Sequence, residues 1–144
     1  MQKSKNAFTM IELVFVIVVL GILAAVAVPR LAATRNDAVL AKGKSDLATI
    51  RSAIVTERQS RLITGDSSWI AKLSTACPGT LLFTGVDVNN TLLTYGIASG
   101  EWACTSDTAY TFTTGGITTN FTYSSANGRF TCTAGSGNCD DLTN

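Results

Sequence analysis

One carboxylate, Glu12, stands inside an apolar run that extends from Phe8 to Val28 and is otherwise interrupted only by Thr9. A carboxylate held in hydrocarbon is costly unless a cation or strong donors meet it, so this residue demands a partner. The other residues able to do chemistry lie far along the chain. Cys77, Cys104, Cys132 and Cys139 all fall in the second half, and Asp140-Asp141 closes the sequence beside Asn138 and Asn144. The 144 residues include no histidine, which removes the usual general base, proton shuttle and commonest metal ligand. No phosphate-binding loop, dinucleotide fingerprint or nucleophile elbow occurs. An enzyme is not expected, and a membrane-tethered hydrolase lacks its catalytic groups.

The cysteines are too widely spaced for the close pairs typical of zinc ligands. An even number of them behind an export-type N-terminus reads instead as two disulfides formed in an oxidising compartment. Four cysteines allow three pairings. Cys132 and Cys139 enclose the flexible loop Thr-Ala-Gly-Ser-Gly-Asn, so Cys132–Cys139 with Cys77–Cys104 is the favoured arrangement. Asp140 and Asp141 offer oxygen ligands for calcium, but the spacing is not that of an EF-hand, and a solvated acidic tail is the simpler reading. No cofactor is expected. Calcium is the one metal with candidate ligands.

The scaffold for these groups begins with the apolar run. As a helix, its 21 residues reach roughly 31 Å, enough to cross the hydrocarbon core of a bilayer. Lys3 and Lys5 precede it, so the positive-inside rule keeps the leader in the cytoplasm and sends the remainder outward. A secretory signal would use Ala25-Val26-Ala27 as its cleavage pattern, but the run is longer than an ordinary signal core and carries an acid near its start. A plain anchor would tolerate Glu12 near the interface. Thr9-Met10-Ile11-Glu12 also matches a capping box, with Thr9 at the N-cap and Glu12 at N3.

Ala7-Phe8-Thr9-Met10-Ile11-Glu12-Leu13, followed by the apolar run and Pro29, resembles the N-terminus of the type IV pilin and type II secretion pseudopilin superfamily. The resemblance covers roughly residues 4–60. It implies cleavage by a prepilin peptidase between Ala7 and Phe8, N-methylation of Phe8, and assembly into a filament. Ala7 stands where the family usually has glycine. Major pseudopilins also carry a calcium site late in the chain, which is what the resemblance implies for Asp140 and Asp141.

This gives Glu12 a physical role. Cleavage creates a cationic amine at Phe8, at the end of an apolar helix. On one helix the two groups satisfy each other poorly. Between staggered copies, Glu12 of one meets the Phe8 amine of the next, and each offsets the burial penalty of the other. Such a pair is a device for alignment more than for net stability.

Beyond Pro29, helix formers predominate to about Ile63, where Thr64-Gly65-Asp66 supplies a stop. Pro29 is expected to kink the helix, and Gly43 is a second soft point. Leu40, Leu47, Ile50 and Ile54 make one apolar face. Next, Ser67–Leu73 is expected as a short helix or turn. Six short β-like runs follow, at Thr80–Thr84, Leu92–Ile97, Glu101–Cys104, Ala109–Thr113, Asn120–Ser124 and Arg129–Thr133. Asn127-Gly128 signals a hairpin between the last two. The expected fold is α+β, a long N-terminal α-helix with a transmembrane half and an amphipathic half, packed on a small antiparallel β-sheet head. The expected divisions are a leader at 1–7, a transmembrane assembly helix at 8–29, an amphipathic stem at 30–64 and a periplasmic head at 65–144.

Net charge is only +1, but it is unevenly placed. Residues 30–64 hold seven basic and three acidic residues, whereas residues 65–144 hold two basic and six acidic ones. This balance does not favour nucleic acid as a partner and suits lateral contact between copies. The expected function is a structural subunit of a type II secretion pseudopilus, held as a single-pass protein of a bacterial inner membrane with its head in the periplasm. Its expected partners are pilin-like subunits, the prepilin peptidase and an inner-membrane assembly platform. The alternatives are a type IV pilin of a surface or DNA-uptake pilus and, in another class, a membrane-anchored ligand- or DNA-binding module.

Overall fold

A computed structural model describes residues 8–86 and 91–143, excepting the side chain of Ala32. The fold is α+β: a long helix α1 (Met10–Ile63), two small antiparallel sheets and a short terminal helix α2 (Cys139–Thr143). The chain divides into two compact units, Met1–Asp37 and Ala38–Asn144, with the boundary inside α1.

In the first unit the described residues are almost entirely helical, and α1 continues through Pro29. Its large apolar side chains are exposed throughout, from Phe8 to Leu31. A solvated helix of that composition has no hydrophobic reason to stay in water. The segment is long and apolar enough to cross a membrane.

In the second unit, α1 supplies one face to a core. Leu47, Ile50 and Ile54 are fully buried, and Leu40 lies against the same cluster. Gly43 extends this face by one turn. A Cβ there would lie 2.5 Å from Cζ of Phe112, so glycine is what lets the ring approach the helix axis. The residue expected to soften the helix is therefore a packing contact. The helix ends in a Schellman motif: Asp66 N–H donates to Arg61 O at 2.9 Å, Gly65 N–H donates to Leu62 O at 3.1 Å, and Gly65 has φ 87°.

The main sheet is an antiparallel meander with strands β3 (Trp102–Ser106), β4 (Ala109–Thr114), β5 (Ile117–Ser124) and β6 (Arg129–Cys132) in sequential order. Burial alternates along it, with Tyr110, Phe112 and Thr114 inward on β4 and Thr119, Phe121 and Tyr123 inward on β5. These side chains meet Trp102, Phe130 and Phe83 in an aromatic core. Trp102 lies 4.9 Å from Phe112 and 5.1 Å from Phe121 between ring centroids. The polar tips are satisfied: Tyr110 Oη donates to Ser74 Oγ, Tyr123 Oη donates to Ile70 O, and Trp102 Nε1 donates to Asp46 Oδ2 on α1.

Two further expectations change. The strand read over Leu92–Ile97 reduces to β2 (Ile97–Ala98), paired with β1 (Leu81–Leu82). Its earlier residues form a loop held by Leu92 N–H to Thr84 O and Leu93 N–H to Phe83 O. Gly96, at φ 61°, turns the chain before β2 begins. Ser67–Leu73 forms no helix. It crosses the core as an irregular strap, burying Ile70 and Leu73. The hairpin does form, with Ser124 opposite Arg129 and Gly128 at φ 69°.

Candidate functional site

The start of α1 is built by Thr9 and Glu12. Thr9 Oγ1 accepts from the Glu12 N–H at 3.3 Å, while Glu12 Oε2 accepts from Thr9 N–H at 3.3 Å and from the Thr9 hydroxyl at 3.1 Å. This is a reciprocal capping box. Two N–H groups that begin a helix without intrahelical partners are thereby satisfied. The carboxylate also lies near the positive end of the helix dipole, where a negative charge is favoured. Glu12 Oε1 makes no hydrogen bond among the described residues, so one carboxylate oxygen remains available to an incoming donor.

Phe8 is 78 % exposed and immediately precedes the cap. Ala7 and the rest of the leader at 1–7 lie outside the described residues. A new amine at Phe8 would place positive charge at the positive end of the dipole, an unfavourable position that calls for a carboxylate close by.

The sequence of this segment carries a recognisable signature. Residues 2–28 match the family described as the prokaryotic N-terminal methylation motif. The N-terminal segment is of the prepilin type. The match spans 27 of the 144 residues and supports a type IV pilin-like N-terminal segment. The motif implies processing by a prepilin peptidase and assembly with other pilin subunits. No solved structure matches the chain.

The remaining sites read from the sequence are dispersed. Pro29 lies within α1 in the first unit. Cys77 is joined to Cys104, with Cα atoms 5.5 Å apart, and Cys132 to Cys139, at 5.8 Å. The first bridge ties the strap after Leu73 to β3, and the second anchors α2 to the end of β6. Asp140 and Asp141 are exposed in the first turn of α2. Among the described residues, no group of three or more His, Cys, Asp or Glu side chains converges.

One feature was not anticipated. Arg51 Nε donates to Phe130 O at 3.1 Å, and the Arg58 guanidinium lies 4.1 Å over the Trp69 ring. Arg51 thus reaches the β5–β6 hairpin, where Arg129 begins β6, and Arg58 reaches Trp69 of the strap, against which Gly128 of that hairpin packs. The spacing of Arg51 and Arg58, seven residues on one helix face, was a sequence signal for this grouping. What it lacked was the knowledge that the hairpin meets that face.

Proposed function

We propose that this chain is a structural subunit of the pseudopilus of a type II secretion system. The observation that carries the reading is a methylation motif at residues 2–28 on an apolar run, Phe8 to Val28, whose large side chains are uncovered and which holds a single carboxylate, Glu12. The small head on one spanning stem supports a pseudopilus over a surface pilus.

The proposed sequence of events follows from the residues. The first unit crosses the inner membrane, with the leader in the cytoplasm and the head in the periplasm. The peptidase cuts between Ala7 and Phe8, and the new Phe8 amine is methylated. Helices then associate side by side, and the Phe8 amine of one copy meets Glu12 of a neighbour. The capping box holds the Glu12 carboxylate at the helix entrance, so the partner amine finds it already oriented. Apolar packing supplies adhesion, and the charge pair sets the stagger.

Mass and N-terminal analysis of the mature protein tests the processing step. N-methylated Phe8 is expected. A chain beginning at Val28 would identify a secretory signal, and one beginning at Met1 a plain anchor; either overturns the reading. Glu12→Leu is expected to insert normally and fail to assemble, and normal filaments from it would equally refute the pairing. Deletion of the gene is expected to block secretion through an outer-membrane secretin, whereas loss of surface filaments with secretion intact would identify a pilus.

A further inference from the structure

Three arginines gather on one side of the second unit. Arg51, Val55, Gly128, Arg129, Phe130 and Thr131 line a cavity of about 300 Å³ where α1 passes the β5–β6 hairpin. Arg58 stands two helical turns beyond Arg51 on α1 and covers the Trp69 ring. A Cβ at Gly128 would collide with that same ring, so the glycine lets the hairpin sit close beside Trp69. Arg129 is exposed, and none of the three arginines has an ion-pair partner among the described residues.

The matching charge lies elsewhere on the same unit. Glu57 and Asp66 pair with Arg61, Glu101 pairs with Lys42, and Asp46 accepts from Trp102. Asp140 and Asp141 are exposed and make no ion pair or side-chain hydrogen bond among the described residues. They sit on the helix tied to Cys132. Arg129 opens β6 and Cys132 closes it, so a strand of three residue steps, roughly 10 Å, separates the basic groove from the root of the acidic turn. No ion pair joins the two patches within one chain.

We propose that the groove at Arg51 and Arg129 is the docking site for the acidic first turn of α2, Asp140-Asp141, of a second copy of this chain. The proposal rests on the filament reading above and deepens it. In the proposed filament the contact is heterologous: each copy offers its groove to one neighbour and its acidic turn to another, and where the rotation does not close this extends as an open series. Arg51 is held in place by the Phe130 carbonyl, leaving its terminal nitrogens for a carboxylate, and Arg129 supplies a second planar fork. A nucleic acid fits less well. It needs a longer run of cations and open aromatic faces, whereas Trp69 is crowded by Arg58 and Gly128, and Lys72 is the only other cation in residues 65–144.

The test uses the full-length chain expressed with its assembly machinery. Three variants are compared: Arg129→Glu, the pair Asp140→Arg with Asp141→Arg, and all three changes together. Each altered position is exposed, and circular dichroism verifies that each variant folds. The first two are expected to lower the yield of sheared filament about five-fold, in line with the upper range for surface ion pairs. The combined variant is expected to recover most of that loss. Reversals that assemble like the unaltered chain, or a combined variant no better than its parts, overturn the docking site while leaving the filament reading intact. If the unaltered chain is processed at Phe8 yet never assembles, the filament reading itself fails and the docking site with it. If Arg129→Glu abolishes DNA retention with filament yield unchanged, the groove serves a polyanion and the proposal is wrong.

Discussion

A single methyl group at Gly43 tests how the stem meets the sheet. The Cβ of Gly43→Ala would fall 2.5 Å from Cζ, 2.9 Å from Cε1 and 3.0 Å from Cε2 of Phe112. Comfortable carbon contacts lie at about 3.5–4.0 Å, so the ring must retreat by about 1 Å. It has little room, since Phe112 is fully buried and Trp102 lies 4.9 Å away between ring centroids. Overpacking of this kind costs about 1–3 kcal/mol. Against it, alanine is better than glycine inside a helix by about 1 kcal/mol. The expected net loss is about 1 kcal/mol, which lowers the thermal midpoint of a unit this size by about 5 °C. The sign is expected to reverse once the ring is shortened. In a Phe112→Leu background, Gly43→Ala no longer meets the ring and should stabilise by about 1 kcal/mol. Thermal and urea unfolding of the full chain in micelles, followed by circular dichroism, measures all four combinations. Stabilisation by Gly43→Ala in the unaltered background, or the same sign in both, would refute this account of the stem contact.

Two further outcomes follow from the second unit. The bridge Cys77–Cys104 closes a span of 27 residues and Cys132–Cys139 a span of 7, so on chain-entropy grounds their removal as serine pairs should cost about 3.5 and about 2.5 kcal/mol respectively. Urea midpoints compare them, and a larger loss from the shorter span would show that loop closure does not govern their contributions. Burial pushes the Tyr123 hydroxyl up to about 12 and raises Tyr110 as well. The unfolded chain therefore loses these protons first, and stability present below about pH 10 should fall as pH rises toward about 12. Absorbance of tyrosinate recorded alongside unfolding checks this, and a midpoint flat across that range would contradict the burial of both rings.

The sequence was most readable where a period ran long. The apolar stripe at Leu47, Ile50 and Ile54 and the stop near Gly65 were legible because helical spacing and a left-handed glycine each leave a local mark. The meander was legible from its turns, with Asn127-Gly128 the strongest of them. Leu92–Ile97 was not, because a run of leucine, threonine and tyrosine suits a strand locally. Its fate was decided by hydrogen bonds from Leu92 and Leu93 to a distant turn at Phe83 and Thr84. Gly43 was misread for a related reason. A glycine in a helix signals weakness unless the ring that needs its space is known. At the candidate site, Glu12 and Thr9 stood out because an acid in an apolar run is rare and the capping interval is short. The arginine groove was hidden, since Arg51 and Arg129 are 78 positions apart and only the fold makes them neighbours.

The bond from Arg51 to the Phe130 carbonyl has a consequence for heads that pack side by side as proposed. Strand β6 lies at the margin of the meander, where an outward carbonyl would ordinarily invite a foreign strand to zip on. Here a guanidinium from the stem already occupies it. In the proposed filament this would discourage neighbouring heads from fusing into a continuous cross-β ribbon.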